Sequence, residues 1–136
     1  MIRRILGCFV LCGLVASVSL QAHHPLAGLY DLQNEVEVKG TLTKVIFTNP
    51  HSAMHISVKG ADGATVEWKL TTASANALAA LGFGSGPNQL LTSGDAVTIK
   101  IFPALSGKPL GYIRSITLAN KKEVQIPVST FSRPAF

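Results

Sequence analysis

From Glu35 onward, apolar and polar positions alternate with a period of two. Val36, Val38 and Leu42 fall on one face, and Glu37, Lys39, Thr41 and Thr43 on the other. That is the pattern of a strand half buried against a core. Gly40 interrupts the run, and the apolar parity then moves to Val45 and Phe47. An internal glycine with a parity slip predicts one long strand carrying a bulge or sharp coil, ended by Asn49-Pro50. Met54, Ile56 and Val58 alternate with His55, Ser57 and Lys59 and predict a second strand. Ala61-Asp62-Gly63 supplies the hairpin turn, with the glycine taking the positive φ that a tight reversal needs. In the third strand Val66, Trp68 and Leu70 are expected to face the core, with Glu67 and Lys69 outward.

The period then changes. Ala75, Leu78, Ala79 and Leu81 recur at helical spacing, with Thr72 or Ser74 placed to cap the start and Gly82 or Gly84 to stop the helix. Gly84-Ser85-Gly86-Pro87 reads as a loop, after which Leu90 and Leu91 are expected to plug the core. Beyond the turn at Ser93-Gly94-Asp95, Val97, Ile99 and Ile101 predict a fourth strand with Thr98 and Lys100 outward. Ser106-Gly107-Lys108-Pro109 turns the chain into a fifth strand over 112–118, and Asn120-Lys121-Lys122 makes a last small hairpin. Three strands, a helix and two strands predict a mainly β fold, a small five-stranded OB-like barrel with one short helix between strands 3 and 4. An SH3-like or other small open barrel is the alternative.

The chain begins differently. Arg3 and Arg4 precede an apolar stretch over residues 5–18, and Ala22, with Leu20 two positions before it, closes a cleavage site. A spanning helix wants about 20 apolar residues. This run is shorter, carries Gly7 and Gly13, and ends in Ser19 and Gln21. The expectation is a cleaved signal peptide over 1–22, no stable membrane span after cleavage, and a periplasmic or secreted product. An N-terminal extension over 23–33, an OB-like domain over 34–126 and an irregular tail over 127–136 follow.

Composition changes this picture in two ways. Cys8 and Cys12 both fall inside the address, so the mature chain is expected to use neither disulfides nor thiolate metal sites. Arg3 and Arg4 leave with it, so twelve basic residues fall to ten against seven acids, a net charge of +3. The outward lysines Lys39, Lys44, Lys59, Lys69 and Lys100 lack the interleaved aromatics that single-stranded nucleic acid stacks on. With export, that argues against a nucleic-acid partner.

Six motifs occur in order along the chain: Ala22-His23-His24, the run over 40–45, Thr48-Asn49-Pro50-His51, Ser74-Ala75-Asn76-Ala77-Leu78, Gly94-Asp95-Ala96-Val97-Thr98 and Ser115-Ile116-Thr117-Leu118. In this order the chain resembles a family of small exported bacterial proteins of unknown function. The resemblance supports the fold and export and implies no established activity. Two positions depart from the family pattern: Phe47 stands where a tryptophan is expected, and Ser52-Ala53 where an aromatic commonly follows Asn-Pro-His.

The candidate chemistry rests on histidine. All four histidines fall in two groups, His23-His24 and His51 with His55, and neutral imidazole is the commonest protein metal ligand. Cleavage after Ala22 would make His23 the N-terminal residue, able to chelate one ion through its α-amino and ring nitrogens. A third imidazole would complete a planar nitrogen set that suits Cu(II). His51 is the preferred third donor and His55 the lesser. In a regular strand those two sit roughly 13 Å apart at about 3.3 Å per residue, too far to share an ion. Pro25 lacks the amide N–H that motifs using successive backbone amides need. The bland reading makes His23 and His24 a solvated terminus and His51 a turn residue. No nucleophile-elbow serine is present, and the acids fall mostly on turns or outward strand positions. The expectation is therefore a non-enzymatic binding module with no catalytic residues and no cofactor beyond copper. Its partner would be a small ligand, a metal ion or an envelope protein. The alternative is an envelope protein- or glycan-interaction module using the barrel face and the loop over 84–88.

Overall fold

A computed structural model of the chain describes residues 26–84, 86 and 88–128. The predicted address, His23, His24 and the end of the tail lie outside the described residues. Among the described residues no helix is long and apolar enough to cross a membrane.

Six strands and one helix follow a short 3-10 turn at Leu26–Gly28: β1 Val36–Ile46, β2 Ala53–Lys59, β3 Thr65–Thr71, α1 Ala75–Ala80, β4 Ala96–Pro103, β5 Leu110–Thr117 and β6 Glu123–Gln125. The strands neighbour one another in the order β3-β2-β1-β4-β5-β6, and a parallel pairing of β3 with β5 closes the first five into a barrel. The architecture is the expected mainly β, closed five-stranded barrel, with one short helix between β3 and β4.

β1 belongs to both halves of the barrel. Val36 to Thr41 pair with β4, and Thr41 to Ile46 pair with β2. The change of partner requires a bend, and two features of the sequence supply it. The pairing with β2 slips between Leu42 and Lys44, so one extra residue turns the apolar set from even to odd positions and keeps Val45 and Phe47 on the core side. At Gly40, a Cβ would lie 2.5 Å from the Ser57 carbonyl oxygen, so only glycine permits that approach of β2.

The core runs through Val38, Leu42, Met54, Ile56, Leu70, Leu78, Ile99, Ile101, Ile113 and Ile116. Met54 packs within it, as its strand parity requires. α1 caps one end. The Ser74 side chain accepts from the Ala77 amide at 3.2 Å, and Gly82 at φ 88° ends the helix. Phe83 N–H then donates to Leu78 O and Gly82 N–H to Ala79 O, closing a Schellman motif whose two apolar ends, Leu78 and Phe83, are buried. Leu91 is buried and Leu90 packs partly against the core.

The third strand departs from expectation. Val66 is 44% exposed, and Trp68 is half-buried at the core's margin. The cause is tertiary: β5 meets β3 only along Lys69 to Thr71, so Thr65 to Trp68 pair with β2 alone and overhang the barrel. Beyond Tyr112 the free edge of β5 is taken by β6, through Ser115, Ile116 and Thr117. The turn between them holds Lys121 at φ 63°.

β6 also brings Glu123 against β5 and β4. Its Oε1 accepts from Ser115 Oγ at 2.6 Å, Lys100 Nζ at 3.1 Å and Gln125 Nε2 at 3.2 Å. These donors, Ser115 first and Lys100 next, hold the Glu123 carboxyl below the usual glutamate range against a smaller opposing effect of burial.

Two predictions follow from these contacts. Gly40→Ala forces a side chain against a backbone oxygen and should cost about 2 kcal/mol or more by urea unfolding. Gly111→Ala, whose Cβ would meet the flexible end of Ile101 at 2.6 Å, should cost less. Glu123 has a lower pKa folded than unfolded, so its contribution to stability is present above the unfolded value and fades as pH falls through the folded one. The stability gap between the parent and Glu123→Gln should therefore be largest near neutral pH and shrink in acid; urea titrations at several pH values measure it.

Candidate functional site

One end of the barrel gathers the loop over 47–52, the entry to α1 and the segment that precedes β1. The loop is stitched to the helix entry by backbone bonds: Ala75 N–H donates to Thr48 O at 3.0 Å, Ser52 N–H to Ala73 O at 3.0 Å and Thr72 N–H to Ser52 O at 2.9 Å. Thr48 Oγ1 donates to His51 O at 2.6 Å. Ser52 Oγ accepts from Thr48 N–H at 3.2 Å and donates to Thr48 O at 3.1 Å. Ser52 is buried, so this chain's departure from an aromatic gives the loop an internal tie. Two motifs distant in sequence, Thr48-Asn49-Pro50-His51 and the Ser74 helix start, thus form one unit.

Tyr30 anchors the preceding segment to the same end. Its hydroxyl hydrogen-bonds Thr71 Oγ1 at 2.9 Å, and its ring meets Tyr112 edge-on with centroids 5.9 Å apart. Backbone bonds from Asp31 N–H to Pro103 O and from Leu105 N–H to Leu29 O add to the seam, and Tyr30 bridges Ala104. Thr71 adjoins Thr72, which donates to Ser52, so Tyr30 and the His51 loop lean on consecutive residues at the end of β3. Strand and helix periods give no sign of this anchor. Its signal was an aromatic isolated in an otherwise unpatterned segment.

The four histidines divide accordingly. His51 is exposed, and its ring makes no hydrogen bond among the described residues. His55 lies within β2, where its Nδ1 meets the Glu67 carboxylate across the β2–β3 pair. That contact fixes the ring and leaves only Nε2 open. His23 and His24 lie outside the described residues. Among the described residues no three His, Cys, Asp or Glu side chains come together as a metal-holding group. A separate hollow of about 270 Å³ lies beside α1, lined by Ala79, Gly82, Phe83, Gly84, Gly86, Asn88 and Gln89.

The fold thus defines a small closed β-barrel with a loop–helix unit at one end. A family model matches residues 11–113, and the chain belongs to that family, described as a family of unknown function (DUF6152). The match includes the His23-His24 and Thr48-Asn49-Pro50-His51 motifs and stops before the closing Ser115-Ile116-Thr117-Leu118 motif. No curated protein matches the chain, and no solved structure matches it.

The Tyr30 anchor can be tested by release. Tyr30→Ala removes both the hydroxyl bond and the ring contact, so limited proteolysis should cut within residues 26–35 earlier than in the parent. Tyr30→Phe keeps the ring and should cost only about 1 kcal/mol, with cleavage close to that of the parent.

Proposed function

We propose that the chain is an exported, non-enzymatic binding module that takes up Cu(II) at the end of the barrel where the N-terminal segment and the His51 loop lie. The observation that carries this reading is the Tyr30 anchor. It ties the chain only a few residues after His23-His24 to Thr71, beside the strand end that also supports the His51 loop. His51 has both ring nitrogens unengaged among the described residues, whereas His55 is committed to Glu67. His23, through its α-amino and ring nitrogens, with His24 and His51 would make a nitrogen-only set of the kind Cu(II) favours.

A second reading, interaction of the barrel face with an envelope protein or glycan, is favoured by the overhanging edge of β3. There Thr65 to Trp68 carry a half-exposed Val66 and leave one side of the strand unpaired, an arrangement that an added strand can complete.

The copper reading is tested on protein secreted by its native route. Intact mass should place the N-terminus at His23, and Cu(II) titration should give one tight site per chain. An extra residue before His23 should weaken it strongly, His51→Ala should weaken it, and His55→Ala should leave it nearly unchanged. Equal, weak binding in all four forms, or a mature N-terminus elsewhere, would overturn it.

A further inference from the structure

Away from that end, the outer surface of the barrel folds into a groove of about 560 Å³ where β1 bends at Gly40. Val97 and Leu118 form part of its base. Lys39, Lys59 and Lys121 and the hydroxyls of Thr41, Ser57, Thr98 and Thr117 line the rest, and no carboxylate is among the lining residues. The arrangement follows from strand register. Lys39 stands opposite Thr98 and Thr98 opposite Thr117, so these three form one row across β1, β4 and β5. Thr41 stands opposite Ser57 on the neighbouring pair. Lys59 enters from the end of β2 and Lys121 from the β5–β6 turn.

Three further features mark this as a place for an anion. None of the four hydroxyls is engaged in a hydrogen bond among the described residues, so each is free to donate. Lys121 occupies the left-handed region at φ 63°, which a residue with a Cβ visits at some cost. Glu37 pairs with Lys39 at 3.1 Å from outside the groove and neutralises part of that charge, while Lys59 and Lys121 have no carboxylate partner among the described residues.

From this we infer that the groove is a binding site for a small polyanion, two or more phosphate groups on a hydroxylated frame, as in the sugar bisphosphates. Three lysines around one groove with no carboxylate in its lining favour a ligand that carries more than one negative group. The hydroxyls match the polar body between them, and the absence of an aromatic platform in the lining argues against a ligand held by ring stacking. This site is independent of the copper reading, since none of its residues belongs to the Tyr30–His51 end.

The test uses the mature secreted protein in low-salt buffer with fructose 1,6-bisphosphate, inorganic phosphate and vesicles of phosphatidylglycerol in phosphatidylcholine. The bisphosphate should bind more tightly than inorganic phosphate and shift the amide resonances of Gly40, Thr98 and Thr117 in the unmodified protein. The triple variant Lys39→Gln, Lys59→Gln, Lys121→Gln should lose roughly tenfold or more in affinity, as three exposed ion contacts imply. A control with the same charge change elsewhere, Lys44→Gln, Lys69→Gln, Lys108→Gln, should bind like the parent, with circular dichroism confirming that both variants fold. Equal loss in the two triple variants, no shift at those amides, or binding to the vesicles without binding to the soluble bisphosphate would overturn the proposal.

Discussion

Three residue pairs, Lys69 with Leu110, Leu70 with Gly111 and Thr71 with Tyr112, hold β3 against β5 in parallel and turn a twisted sheet into a closed barrel. The seam is short, and much depends on it. It buries Leu70 and Tyr112, gives Tyr30 the Thr71 hydroxyl and the Tyr112 ring to rest on, and sets the point at which the chain leaves the sheet for α1. Without it, β3 would present an unpaired edge along its whole length and β5 one along Leu110 to Tyr112. With it, β3 remains open only along Thr65 to Trp68, and β6 covers β5 past Tyr112.

The opposite constraint is the bend in β1. One strand can serve two halves of a barrel only if it changes direction sharply, and here a glycine and a one-residue bulge lie within a few residues of each other. The same bend that turns the apolar set inward folds the outer face into the groove around Gly40. Core packing and the concave outer surface are thus two consequences of one local geometry. The lysines that line that surface are dispersed along the chain and meet only through register.

Much of this was legible beforehand. Strand periods in β1, β2 and β4, the bulge implied by the shift from Leu42 to Val45, a cap at Thr72 or Ser74 and a stop at Gly82 or Gly84 all depend on neighbours within a few residues. Each was readable from spacing alone. Val66 was misassigned because its alternation is perfect while its burial depends on whether β5 reaches that far along β3, which no local pattern reports. The candidate site was legible only as a list of histidines. The difference between His51 and His55 lies in a cross-strand carboxylate, Glu67, and the Tyr30 anchor lies in a hydroxyl 41 positions away in sequence.

Taken alone, the sequence determined the kind and order of the five barrel strands and the helix, the turns between them and the family motifs, because alternation, capping and glycine placement act over short range. Tertiary structure decided which edges pair, where the barrel closes, how far β3 overhangs, and which polar side chains share a surface. Those outcomes depend on register between strands many residues apart. A shift of one residue there moves every side chain to the other face, so the position of Lys39 beside Thr98 and Thr117 could be known only once the barrel was closed.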